Sequence, residues 1–260
     1  MKKMLAVLLL VFLFAPGLCQ AEVFQIKNLW TGINRLIAKD KESGVDLWQS
    51  QIKMQKVEDN GRPVLYILEE GTGFRGAEKE YSSWKHESYF QVQGTKLLPD
   101  QIKVVYKNEK GEIIARVEKS FDHENRKVIC RVNGKKKEIE YKDDLVDRET
   151  LGIYLSNYPF GQKAEFSFHL LNHDPSLQKM IVTYQGEETV KTGEDRVQCY
   201  KLQMTPDLGA LKFLAAFIPK IYFWYESKPP YNFVKYEGLE SGLGSPRIIL
   251  ESHALPQKSS

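Results

Sequence analysis

The sequence predicts a mainly β protein: a curved antiparallel sheet or barrel-like roll with one or two short helices packed on it. Three observations carry this. Short segments rich in β-branched and aromatic residues recur along the chain, separated by turn signals. Asn60-Gly61 and Asn133-Gly134 stand between such segments, where both residues tolerate positive φ and mark tight hairpins. Only residues 143–158 and 207–217 space their leucines as helices do.

At the start of the chain, Lys2 and Lys3 precede an apolar run from Met4 to Ala15, then Pro16, Gly17 and a small-residue site ending at Ala21. That order reads as a secretory signal peptide over residues 1–21. The run is shorter than the about twenty residues a membrane-spanning helix needs. The expected location is therefore the periplasm. Cys19 raises the alternative of a lipoprotein, but Leu18, rather than a small residue, precedes it, so no lipid anchor is expected there.

Residues 22–260 hold no Pro-, Gly- or Ser-rich linker and read as a single all-β domain with a frayed tail at 256–260. Removing residues 1–21 takes away two lysines and no acid, which lowers the formal charge from +3 to +1. A near-neutral exported chain lacks the basic footprint of a nucleic-acid binder, and no such partner is expected.

The first strands form a meander. Residues 45–57 lead to Asp59-Asn60-Gly61 and 63–71 return; 101–107 lead to Asn108-Glu109-Lys110-Gly111 and 112–121 return. Residues 126–132 turn at Asn133-Gly134 into 135–141, and Lys135, Lys136 and Lys137 decorate that solvated hairpin. Cys130 and Cys199 both fall in strand-like segments. An oxidising compartment would permit a disulfide between them, while buried free thiols serve equally well as small apolar groups.

From Asp143 to Tyr158, Leu145, Leu151 and Leu155 recur at helical spacing, and Pro159 with Gly161 supplies the stop. Asp143, Asp144, Asp147 and Glu149 fit the start of such a helix, whose dipole favours acids. After strand-like residues 164–171, 179–188 and 196–204, a second helix is expected at 207–217, with Asp207 as cap and Leu208, Leu211, Leu214 and Phe217 on one stripe. Strands at 220–227, 232–240 and 247–253 close the chain.

Residues that could carry chemistry are few. His169 and His173 would share a helical face, but their segment reads as a strand ending in a turn. Four extended residues span about 13 Å, too far for two ligands of one ion. No Gly-x-Ser-x-Gly elbow or phosphate-cradling loop is present, and the glycines of 71–76 and 238–244 read as turn formers. No catalytic residue, metal or cofactor is expected. A hydrolase using Glu237 or Glu240 would need two carboxylates converging in a cleft.

The aromatic stretch Tyr222-Phe223-Trp224-Tyr225 is bulky on both strand faces, with Tyr222 and Trp224 opposite Phe223 and Tyr225. The strand after Pro229-Pro230 places Tyr231 and Phe233 on one side and Val234 and Tyr236 on the other. One face must then be covered by the 207–217 helix or line a cavity. Filled interiors favour cover; in the cavity reading, Tyr222, Trp224 and Tyr236 are the ligand-binding candidates, since their polar tips on apolar bodies suit amphiphiles.

The segments "YPFGQKAEFSFHLL", "IVTYQGEETVKTGEDRVQCYKLQM" and "FWYESKPPYNFVKYEGLESGLGSPRIILE", in that order, resemble the exported bacterial proteins grouped as domain of unknown function 3108. The resemblance covers roughly residues 140–252, with a Gly-Glu pair at Gly186-Glu187, and departs in the richer segment "YEGLESGLG". It implies an antiparallel β-fold of the periplasm or envelope without an established enzymatic activity, and it carries over no catalytic residue. The expected function is non-enzymatic: binding or carrying an apolar or amphiphilic envelope component such as a lipid. The alternative is a structural or assembly protein of the envelope, acting on a protein partner through residues 71–84 and 235–246.

Overall fold

The computed structural model describes residues 31–59, 61–161, 165–193, 195–209, 218–242 and 244–254. The leader read at 1–21, the tail at 256–260 and most of the helix read at 207–217 lie outside the described residues. Within them, every strand joins one curved, unclosed sheet. The first half supplies β1 (Gly32–Asp40), β2 (Asp46–Asp59), β3 (Arg62–Arg75), β4 (Glu80–Gln93), β5 (Lys96–Asn108), β6 (Ile113–Asp122), β7 (Lys127–Val132) and β8 (Lys135–Glu140). The second half supplies β9 (Leu145–Asp147), β10 (Glu165–Leu171), β11 (Leu177–Thr192), β12 (Asp195–Pro206), β13 (Ile221–Glu226), β14 (Phe233–Leu239) and β15 (Arg247–Ala254).

The order across the sheet is β8-β7-β6-β5-β4-β3-β2-β1-β15-β14-β13-β12-β11-β10-β9. All pairings are antiparallel except the short parallel one between β9 and β10. The predicted meander is present, and the Asn133-Gly134 turn takes positive φ at both residues (48° and 82°).

The expected helix over 143–158 is shorter than its leucine spacing suggested. Leu145, Val146 and Asp147 are all buried and pair as β9 with His169, Leu170 and Leu171. One 3-10 turn follows, Arg148–Thr150, in which Asp147 Oδ1 accepts from Glu149 N at 3.0 Å. Only Leu151–Ser156 form the α-helix, α1. Ladder bonds and burial on both faces outweigh local helical preference at 145–147. Asp147 caps the 3-10 turn, while Asp144 pairs with His169 at 2.8 Å and Asp143 with Arg126 at 2.9 Å.

Six residues are too few to be helical alone, and α1 is held from two sides. Leu151 and Leu155 pack among Phe168, Val182, Leu202 and Tyr225 of the second half, and Ile153 packs on the cluster of Met54, Leu65, Ile67 and Phe90 in the first. Tyr225 Oη donates to the Gly152 carbonyl at 3.0 Å.

The two ends of the sheet meet without a backbone ladder. Ile102, Val104, Val117, Phe121, Val128 and Cys130 from β5, β6 and β7 pack with Leu145 and Leu171 from β9 and β10. Across this seam Lys119 Nζ donates to Asp147 Oδ2 at 2.6 Å, with both side chains wholly buried.

Of the two readings for the cysteines, the disulfide is corrected: both thiols are free. Cys130 belongs to the seam cluster, whereas Cys199 packs with Val190, Trp224 and Val234. Burial pushes the Cys199 thiol up to about 11 and also raises that of Cys130. Neither is therefore expected to react with a thiol reagent at about pH 8 in the native protein, since the thiolate is the nucleophile. Both should label fully in denaturant, as read by peptide mass. Failure to label in denaturant would reveal a disulfide.

Candidate functional site

The curved sheet and α1 line a cavity of about 670 Å³ that opens to solvent. Its apolar wall is built by Leu36, Ile52 and Met54 on one side and by Met180, Phe223 and Phe233 on the other. Tyr236 joins that wall through a register shift between β13 and β14. Tyr225 pairs with Phe233 and Trp224 with Lys235, which leaves Val234 as an extra residue. Such a bulge interrupts strict alternation. Phe233 and Tyr236 consequently both face the cavity, where Tyr236 meets Phe223 edge to face with ring centroids 5.1 Å apart. Alternation alone had grouped Tyr236 with Val234 instead. Burial pushes the Tyr236 phenol up to about 12, and its hydroxyl donates to the Leu239 carbonyl.

Tyr222 and Trp224 lie on the opposite face of the sheet and do not line the cavity. Trp224 packs with Val190, Cys199 and Val234, and its indole N–H donates to Glu188. Lys201 and Lys235 cover it, their ammonium groups 4.9 and 4.7 Å from the centre of the indole. The two-faced bulk of this strand thus has two explanations: one face lines a cavity and the other is roofed by lysines.

One end of the cavity is polar. Trp48 and Trp84 meet edge to face at 5.4 Å, and the Arg75 guanidinium lies 4.6 Å from the Trp84 ring centre. The glycines of 71–76 make this possible, which corrects their reading as turn formers alone. Gly71 and Gly73 lie within β3, and a Cβ on Gly71 would come within 2.2 Å of the Trp84 ring. Glu240 is buried here and accepts from Trp48 Nε1 at 2.8 Å, Arg75 Nε at 3.1 Å and Gly76 N at 2.8 Å. Arg148 Nη2 donates to the Glu240 carbonyl at 2.8 Å. Glu237 is elsewhere, paired with Lys41 and absent from the cavity lining, so the two carboxylates do not converge.

Beside this group, Glu69, His86, Glu149 and His173 converge from β3, β4, the 3-10 turn and the turn after β10. His86 Nδ1 lies 2.5 Å from Glu149 Oε2 and 3.5 Å from Glu69 Oε2. His173 Nε2 contacts Glu149 Oε1, and Trp84 Nε1 donates to Glu69 Oε1 at 3.2 Å. Burial works against the charged forms, but mutual attraction prevails. Glu149 and Glu69 hold the His86 ring well above the usual imidazole range, and His86 with His173 holds the Glu149 carboxyl well below its own. Burial likewise opposes ionisation of Glu69, and the His86 charge lowers it nonetheless.

The family model described as "Protein of unknown function (DUF3108)" matches residues 50–250, most of the chain. The chain belongs to the DUF3108 family. The match begins well before residue 140, so the first-half meander is part of the family pattern as well. No curated protein matches. Among solved structures, a β-barrel-like protein of domain of unknown function DUF1849 from Brucella abortus superposes with a TM-score of 0.55 at 8% identity, covering 86% of this chain and 98% of that one. At that identity the likeness is one of fold. The hypothetical lipoprotein YmcC from Escherichia coli (K12) matches at a TM-score of 0.34 and 9% identity, over 88% of this chain and 89% of that one.

Of the three ligand-binding candidates, this DUF3108 protein brings only Tyr236 to the cavity. His169 and His173 have separate partners, Asp144 and Glu149, as their extended segment implied. The Glu69, His86 and Glu149 cluster was missed because its members come from three elements. A signal was nonetheless present. Glu69 follows Leu65 and Ile67 at every second residue and His86 follows Trp84, so each charged group occupies a core-facing position, and the two pair directly across the β3–β4 hairpin.

Proposed function

We propose that this DUF3108 protein is a non-enzymatic periplasmic binding protein that holds or carries an apolar or amphiphilic component of the cell envelope. The observation that supports this is the cavity: about 670 Å³, walled by aliphatic and aromatic side chains and charged at one end only. Ligand sites are of this size and character, with a few placed polar groups to orient the occupant. An acyl chain would lie along Leu36, Ile52, Met180 and Phe223, and a polar head would face Arg148 and His173.

The test is to purify the protein without denaturant from its own cells, record its native mass, and analyse what organic extraction removes. A lipid-sized increment that extraction abolishes is the expected result. The bare polypeptide mass, together with no uptake of a fluorescent fatty acid, would overturn the reading.

A second reading, an assembly protein acting through protein contacts, draws on the rim. Phe74 and Tyr81 form an exposed edge-to-face pair at 5.6 Å, beside the start of β2, where Val45 just before the strand is also exposed. A stoichiometric envelope partner recovered with the intact protein and lost on Phe74→Ser would favour it.

A further inference from the structure

We infer that Glu69, His86 and Glu149 form a binding site for a divalent transition-metal ion, with Zn2+ the ion that their nitrogen and oxygen donors suit best. The inference stands apart from the carrier reading, since the site would exist whatever the cavity holds.

Placement comes first. One donor atom from each residue lies within 4.8 Å of the others. Zinc bonds of about 2.0–2.2 Å to nitrogen and carboxylate oxygen require neighbouring donors to stand about 3–4 Å apart. His86 Nδ1 and Glu69 Oε2 already do, at 3.5 Å, and Glu149 Oε2, now 2.5 Å from Nδ1, would withdraw by about 1 Å.

The state of His86 is the second, independent observation. Its side chain is only 8% exposed and borders the cavity, yet neither ring nitrogen makes an aligned hydrogen bond among the described residues. Nδ1 is close to two oxygens without directing a hydrogen at either. A buried polar group in that condition is costly. A metal ion between Nδ1 and the two oxygens would take the place of the Nδ1 proton and bind all three atoms.

Orientation of the carboxylates points the same way. Each turns one oxygen to the site while its other oxygen is held from behind. Glu69 Oε1 accepts from Trp84 Nε1 and Glu149 Oε1 contacts His173 Nε2, which leaves Glu69 Oε2 and Glu149 Oε2 facing His86. Outer partners of this kind fix ligand direction at metal centres. Charge also fits. Arg75 is paired with Glu240, and the two carboxylates face His86, with His173 behind Glu149. A divalent cation bound in place of the His86 proton, which leaves to solvent, would balance the two carboxylates that bind it. Three protein donors keep a fourth position free for water or a ligand atom on the cavity side.

The experiment uses the purified full chain, stripped with a chelator and titrated with ZnCl2 by calorimetry, with bound zinc measured after dialysis. One zinc per chain is expected, with a heat that changes with the buffer because a proton is released. Glu69→Gln and His86→Gln should each weaken binding at least about tenfold, and His173→Asn should weaken it by about 10–100-fold at unchanged stoichiometry, as expected of an outer partner. Glu69→Gln keeps the shape and the Trp84 hydrogen bond, so it decides the matter even if a His86 variant fails to fold. Absence of stoichiometric zinc, or binding by Glu69→Gln equal to that of the unaltered protein, overturns the inference.

Discussion

Replacing Lys119 by alanine is expected to destabilise the protein by about 3–5 kcal/mol, read as a lower midpoint in urea unfolding at unchanged slope. Lys119 and Asp147 are both wholly buried, 2.6 Å apart, and Asp147 would be left as an uncompensated charge in an apolar cluster. The pair itself is a poor source of net stability, since desolvation offsets most of its attraction. The double variant Lys119→Met with Asp147→Leu should therefore recover most of the loss, less about 1 kcal/mol for the cap on the 3-10 turn. A single Lys119→Ala as stable as the parent would mean that the sheet ends are not held together here.

Glu240→Ala should have an effect of similar size, about 3–5 kcal/mol, by the same route of stranding a buried partner. Three donors converge on this carboxylate, from Trp48, Arg75 and the Gly76 backbone, and its side chain is 2% exposed. Its loss also separates the two rim segments, 71–84 and 235–246, so protease cleavage within 71–84 should accelerate in the folded state. Glu240→Gln keeps one accepting oxygen and should lose distinctly less. Equal stability of the alanine variant, with unchanged proteolysis, would show that the rims are joined by other contacts.

Both residues show what one sequence can reveal about this chain and what it hides. The meander was legible because hairpins are local: Asn133-Gly134 and the alternation around it determine their own pairing. Residues 145–147 were misread because their leucine spacing satisfies a helix, while the partner strand β10 begins only at Glu165, beyond the helical turns. Tyr236 was assigned to the wrong side by a single bulge, since one extra residue reverses every later side chain. Lys119 stands midway between Val117 and Phe121 in a core-facing alternation. Such a position announces a buried charge, but only the curvature of the whole sheet supplies Asp147 as its partner. In the metal-type cluster it is Glu149 that is hidden for the same reason, since Glu69 and His86 face each other across the β3–β4 hairpin and curvature brings Glu149 to them.

The order of the strands has a consequence for how the molecule is made. Every ladder but one joins strands that are consecutive in the chain; the exception pairs the first with the last, β1 with β15. Hairpins can therefore zip one after another as the polypeptide emerges, and the closing of the largest loop waits for the final strand. The entropic cost of that late step grows only as the logarithm of loop length. Exposure in the interval is the greater hazard, because β1 presents an unpaired edge that a second nascent chain could occupy. Arg35 and Lys39 on β1 place positive charge along that edge, where two copies in the same unfinished state would repel.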